Sequence, residues 1–449
     1  MGLRLLAPVF GSSLPVWGSA IAVVLGGLAW GYTLGGQRAQ EEIAEELVFK
    51  TAILGAAIFV WMPVFFNWAR IFREAFSGGG AGGLVLGSLA LSILALLPAS
   101  VVFGMISPMA VQVEARRRGE TAGQVAGRIF TLTTMGSLFG ILLPSFFTIA
   151  FLGTKETIWI FAGAVIALAL PALISSGRFK LWGWLIAIIL GLIAANWESA
   201  RANVVWSQET PYQHVDVRNM PDGLWLTFDA GLGLEAMLPK EALTKAYWDY
   251  LALLPAWLDA DKAEVLVLGA ATSTTERQMT KLWGEEKSFN FTSVELDGAL
   301  FSIADRFFDP PERKKVVADG RVFIAQDKKQ YDIVVVDAYA RELTIPFYMA
   351  TREFFAEIKP RLKSRGILAL NINSCQDDSL MMRSLGKTLR TVYKKVGQIA
   401  VPDSCNRLLI ATDWEVGLAP VPTEGGWILT DNRAPTEWLG LAALIAKDF

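Results

Sequence analysis

Three acids and one glycine stand at the ends of apolar runs, and their spacing marks where chemistry can be done. Glu264-Val265-Leu266-Val267-Leu268 runs into Gly269, and Phe291-Thr292-Ser293-Val294 runs into Glu295. Arg321-Val322-Phe323-Ile324-Ala325 leads to Asp327, and Asp332-Ile333-Val334-Val335-Val336 ends at Asp337. In open α/β sheets a ligand sits beyond the carboxyl ends of the parallel strands, so these four residues describe one candidate site. Gly269 lets backbone approach a ligand closely. Glu295 is placed to accept two bonds from ribose hydroxyls. Asp327 can accept from an exocyclic adenine amine. Asp337 can hold a cationic substrate or take a proton from it. The plainer alternative is that acids at strand ends merely cap the helices that follow.

The elements that would position these residues read as alternating strands and helices. Residues 203–237 read as β structure, with a turn at Met220-Pro221-Asp222-Gly223 between two strands. A helical stretch carries Tyr247, Tyr250 and Leu251, and further helices are expected over 276–283 and 351–362. Gly366 to Ile372 is another continuous apolar run, and Leu408-Leu409-Ile410 marks a final antiparallel strand. Continuous apolar strands alternating with helices predict a parallel sheet covered on both faces.

The two cysteines are Cys375, after the fifth strand, and Cys405, before the last one. In this topology those places adjoin, so two readings stand: a disulfide, which suits an oxidising compartment, or two unrelated buried thiols. The sole histidine, His214, can act as a base or simply pair within a strand. Two cysteines and one histidine give no sulfur and imidazole cluster, so no metal is expected.

Before residue 200 the chain has another character. Runs over 9–34, 51–69, 84–107, 129–153, 157–175 and 181–196 are each about long enough to cross a bilayer, and six spans are predicted. The first is read as a retained helix rather than a cleaved leader. Breaks fall at Gly35-Gly36-Gln37-Arg38, Glu114-Ala115-Arg116-Arg117-Arg118, Thr154-Lys155-Glu156 and elsewhere. The basic residues Arg38, Lys50, Arg116, Arg117, Arg118, Arg128, Arg178 and Lys180 lie in odd-numbered loops, which predicts those loops to be cytoplasmic. With six spans the soluble part then faces outside the cytoplasm. An apolar fraction of 53% fits a membrane half, and a net charge of −2 leaves no basic excess for nucleic acid. Few ionisable residues lie inside the spans, which disfavours a transport path.

Several segments together resemble the spermidine synthase (polyamine aminopropyltransferase) family. Tyr212-Gln213 resembles the family's Tyr-Gln, and Tyr247-Trp248-Asp249 resembles a segment before its first Rossmann strand. Val294-Glu295-Leu296-Asp297 resembles the ribose-binding Val-Glu-Ile-Asp. Tyr331-Asp332-Ile333-Val334-Val335-Val336-Asp337 resembles Tyr-Asp-Val-Ile-Ile-Val-Asp, whose last Asp is the proton acceptor. Asp327 falls where the family carries its adenine-binding Asp. Leu14-Pro15-Val16-Trp17 through Gly36 looks like the first helix of multi-pass membrane proteins that carry a synthase-like domain.

The resemblance implies a transmembrane domain over 1–197, a small β domain over 203–240, and an α/β Rossmann-like domain over 241–449 of the class I S-adenosylmethionine-dependent transferase type. The donor would be decarboxylated S-adenosylmethionine or S-adenosylmethionine, bound by Gly269, Glu295 and Asp327. The amine acceptor would meet Gln213, Tyr247 and Asp249, with Asp337 taking the proton. A bacterial inner membrane is the expected location, with the bilayer, complex subunits or a second copy as partners. Two departures bear on activity. Thr272 stands in the glycine loop where the family has an Asp, and Ala340 replaces a second substrate-binding Asp. They predict weak spermidine formation, and they leave a degenerate scaffold subunit as the other reading.

Overall fold

The computed structural model describes residues 14–39, 45–67, 80–152, 154–175, 203–210, 212–228, 234–339, 345–436 and 438–440. The predicted span at 181–196 lies outside them. The chain divides into two compact units, Met1–Ala202 and Asn203–Phe449.

The first unit is helical: α1 (Leu14–Arg38), α2 (Glu45–Asn67), α3 (Gly80–Arg118), α4 (Ala122–Leu143) and α5 (Thr154–Ser175). Three of its helical stretches, Val16–Arg38, Leu86–Arg118 and Ala122–Thr148, are long and apolar enough to cross a membrane. Three predicted breaks are helical instead, and of these Thr154-Lys155-Glu156 opens α5. Gly35-Gly36-Gln37-Arg38 closes α1, and the Arg116-Arg117-Arg118 run forms the last turn of α3, where cations complement the carbonyl end of the helix. Gly27, Gly31 and Gly35, four residues apart, turn toward α3. A Cβ on Gly31 would stand 2.2 Å from the Val101 carbonyl oxygen, and one on Gly104 2.7 Å from that of Leu28. Two backbones thus touch, the packing by which helices associate where lipid offers no hydrophobic drive.

The second unit opens with a four-stranded antiparallel sheet in the order β1 (Val204–Glu209), β2 (His214–Met220), β3 (Gly223–Phe228), β4 (Ala236–Pro239). Its inner residues Val215, Val217 and Leu226 share one cluster with Leu300, Ile303 and Phe308 of the segment that follows, so this sheet has no core of its own.

The helix α6 (Tyr247–Leu251) leads into the larger sheet, built from β5 (Lys262–Leu268), β6 (Ser288–Glu295), β7 (Arg313–Val317), β8 (Tyr331–Val336), β9 (Leu362–Asn373), β10 (Lys395–Ala400), β11 (Asn406–Thr412) and the short β12 (Ala419–Pro420). Their order is β12-β10-β11-β9-β8-β5-β6-β7, with β5 to β9 parallel and β11 antiparallel to β9. The helices are α7 (Thr274–Trp283), α8 (Ala299–Phe307), α9 (Gly320–Gln326), α10 (Arg352–Ile358) and α11 (Leu380–Arg390). Along β5 the side chains alternate between two cores: Leu266 and Leu268 join Val334 and Leu368 on one face, while Val265 and Val267 join Ile333 and Ile367 on the other. Both faces are buried, which is why these strands read as unbroken apolar runs. This is the expected Rossmann-like sheet with one extra edge strand.

One predicted strand is a helix. Residues 321–325 lie in α9, and the strand before it is β7. Asp319 caps α9, accepting from the N–H groups of Arg321 and Val322 at 2.9 and 3.1 Å. Ile324 points into the core while Val322 is exposed, a helical rather than alternating pattern.

Cys375 and Cys405 form a disulfide across the β9–β11 junction. Free-thiol titration of the denatured, unreduced protein is expected to find neither cysteine titratable, and reduction to cost about 2–4 kcal/mol of stability. Two reactive thiols would contradict the bond.

Candidate functional site

The strand order reverses between β8 and β5, and a crevice opens above their carboxyl ends. Gly269 follows β5 with φ +84°, and its N–H donates to Val294 O at 2.9 Å. The next chain over, after β8, is held as closely: Asp337 N–H donates to Leu268 O at 2.9 Å. The crevice is lined by Gln213, Gly269, Glu295, Asp319, Asp337 and Tyr247, among others. Five of the predicted residues therefore meet here: Gln213 just before β2, Tyr247 on α6, Glu295 at the end of β6, and Gly269 and Asp337 directly after β5 and β8.

Asp337 sits at the floor. Its Oδ2 accepts from the Tyr247 hydroxyl at 2.8 Å, and its Oδ1 accepts from the Asn371 side-chain amide at 2.9 Å. Burial pushes this carboxyl up to about 6, against the two donors, which hold it down. A carboxylate in that range is ionised at neutral pH and still basic enough to accept a proton.

Glu295 is anchored by backbone: its two oxygens accept from Ala271 and Asp297 N–H groups, each at 3.0 Å. Burial raises its carboxyl above the ordinary range, and the neighbouring Asp297 adds to this, although the backbone donors oppose it. The lone pairs left over can accept from a ligand's hydroxyls.

The glycine-loop positions keep a glycine-like path. Ala271 (φ +43°) and Ser273 (φ +64°) both occupy the left-handed region that side chains disfavour. Thr272 is buried, and its Oγ1 has no hydrogen-bond partner. It is Ala271, not Thr272, that lines the crevice.

Asp327 is not in this crevice. It lies at the far end of α9, where its side chain accepts from Tyr331 Oη at 2.9 Å and from the Lys329 N–H at 3.3 Å. Reading α9 as a strand put its last acid at the wrong edge of the sheet. The acid that does follow β7 is Asp319, whose Oδ2 accepts from Tyr348 Oη at 2.7 Å. Its signal in the sequence was Asp-Gly one residue beyond the β-branched pair Val316-Val317, a helix cap beside a small residue.

A second, larger cleft of about 1040 Å³ adjoins the first and shares Glu235, Tyr247, Trp248 and Tyr339 with it. Asp249 lines this one, with its oxygens accepting from Thr244 and Lys245 N–H groups, Thr244 Oγ1 and Gln278 Nε2. His214 lines neither. Its ring bridges Glu209 and Asp216 at 3.0 Å each, and although burial opposes the charge these bonds push it up to about 9. It is an ion-pair member. Ala340 and Arg341 lie outside the described residues.

Residues 244–411 match the family model described as spermine/spermidine synthase domain. A probable polyamine aminopropyl transferase of Bifidobacterium longum is 31% identical over 295 residues, which take in 56% of this chain and 64% of that protein. The chain thus spans a little under two thirds of that relative. A polyamine aminopropyltransferase of Vibrio vulnificus is 25% identical over 241 residues, 51% of this chain and 78% of the relative. Among solved structures, a probable spermidine synthase from Corynebacterium glutamicum matches with a TM-score of 0.41 at 19% identity, over 51% of this chain and 96% of that one.

Proposed function

We propose that this protein, whose residues 244–411 match the spermine/spermidine synthase domain model, is a membrane-anchored transferase that moves an aminopropyl or related group from decarboxylated S-adenosylmethionine or S-adenosylmethionine to an amine. The observation that carries the reading is Asp337, half-buried and held toward its ionised form by Tyr247 and Asn371, beside the place where two clefts share their walls. The donor occupies the first cleft, with Glu295 on its ribose and Asp319 at its base. The acceptor enters through the second, past Asp249 and Tyr247, toward Gln213 in the first. The amine lone pair attacks the carbon bonded to the sulfonium, the C–S bond breaks, and its electron pair stays on sulfur as a neutral thioether. The proton released from nitrogen passes to Asp337.

The scaffold reading rested on the changed glycine loop, on Ala340 and on a soluble unit facing away from the cytosolic donor. Ala271 keeps the loop's backbone beside Glu295, and Thr272 lies outside the crevice, so the loop change no longer argues for it. The three long apolar helices support anchoring, and the disulfide together with the basic odd-numbered loops supports a soluble unit facing an oxidising compartment.

Calorimetry on the detergent-solubilised full chain tests donor binding. Glu295→Gln and Asp319→Asn are each expected to weaken it by roughly 1–3 kcal/mol, the range for a lost charged acceptor. Asp327→Asn should leave it unchanged. No heat with either form of the donor would overturn the reading, and loss only in Asp327→Asn would restore the adenine role to that residue.

A further inference from the structure

From Asp337 a chain of polar side chains, Asn371, Asn406 and Ser404, runs along the wall of the second cleft, and no step assigned above uses them. Asn371, on β9, gives its amide N–H to Asp337 Oδ1 at 2.9 Å and is only 2% exposed. Its carbonyl oxygen accepts from the Asn406 side-chain amide at 3.0 Å. Asn406, the first residue of β11, in turn accepts from Ser404 Oγ at 2.7 Å and sends its backbone N–H to the same hydroxyl at 3.1 Å. The β9–β11 ladder sets Asn406 opposite Asn373 and Leu408 opposite Asn371, and the Cys375–Cys405 bond closes beside it.

We propose that Asn406, by fixing which end of the Asn371 amide faces Asp337, is a positioning residue for that carboxylate. A buried amide can present either its NH₂ or its carbonyl to a neighbour. Turned with NH₂ toward Asp337, it stabilises the ionised carboxylate, whereas turned the other way its oxygen would accept a hydrogen bond from the neutral acid's O–H and favour that form instead. Asn406 donates to the Asn371 carbonyl, and that bond exists only in the first orientation.

The other groups around the carboxylate do not supply this selection. Tyr247 donates to its second oxygen, and Tyr339 donates to the Asn371 backbone oxygen at 2.9 Å. Glu235 adds negative charge near both tyrosines, while Lys245, Asp249 and Asp403 line the adjoining cleft. The inference rests on the transferase reading for its catalytic meaning, but not for its physical content.

The test follows the titration of Asp337 itself. Full chain carrying ¹³C-labelled aspartate is titrated in detergent, with Asp337→Asn identifying the signal, for wild type, Asn406→Ala and Asn371→Leu. The midpoint is expected to rise by about one pH unit in Asn371→Leu and by a smaller step in Asn406→Ala, because each loses stabilisation of the charged form. The acid limb of the transfer rate should move up by the same amounts. An unmoved midpoint in Asn406→Ala, with its melting curve intact, overturns the proposal even if Asn371→Leu fails to fold. Loss of activity without movement of the limb marks a merely structural role and overturns it too. Absence of transfer in wild type would sink the functional reading, while the titration would still decide the relay.

Discussion

Asp337→Asn in the full-length protein is expected to lower the rate of transfer on the order of 10²- to 10⁴-fold, the usual contribution of a positioned base. The substitution keeps the shape of the side chain and removes its basicity. It also mismatches the floor, because Tyr247 and Asn371 both donate, and an amide has one acceptor oxygen to offer where the carboxylate has two. Donor affinity should change little, since the groups assigned to the donor, Glu295 and Asp319, are held by their own backbone partners. Single-turnover measurements with saturating donor separate the two effects. A variant that keeps a tenth or more of the wild-type rate would remove Asp337 from the proton-accepting role.

The other large effect is expected at Gly269. Its φ of +84° lies where an L side chain is strained, and a Cβ built there would come within 2.4 Å of Asp337 O and 2.8 Å of Ala338 Cα. Both obstacles are backbone, so neither can rotate out of the way. Gly269→Ala should therefore destabilise the soluble unit by at least about 2 kcal/mol, combining an incompatible backbone angle with a steric clash. Because the clash falls on the peptide that follows β8, transfer should fall further than stability alone explains. Denaturant melts paired with initial rates test this. A variant as stable as wild type would mean that the β5 and β8 ends are free to separate.

How much of this was legible in the sequence differs by element. β5, β6, β8 and β9 were read because burial on both faces leaves a short, largely apolar run. Glu295 and Asp337 followed directly, being the first polar residues after such runs. Asp319 was missed because β7 is an edge strand, Arg313-Lys314-Lys315-Val316-Val317, with charged side chains and no apolar run to announce it. The apolar residues of α9 took its place in the reading and carried Asp327 with them. In the helical unit, composition revealed long apolar helices but not their pairing. The spacing Gly27, Gly31, Gly35 carried that information, yet its partner, Gly104, lies far along the chain and shows only in the packed structure.

The Cys375–Cys405 bond closes a thirty-residue separation that contains all of α11 and β10. Proteins open in parts as well as whole, and the parts at sheet edges usually open first. Here the edge segment cannot leave as a free arm. With the ring closed, α11 and β10 must open as a loop pinned at both ends, which leaves the opened state fewer conformations. Amide exchange along β10 and β11 then reports the oxidation state of a bond that neither strand contains. In the reduced chain, the strand that carries Asn406 becomes part of a cooperative unit free to fray from β9 while β5, β6 and β8 stay protected.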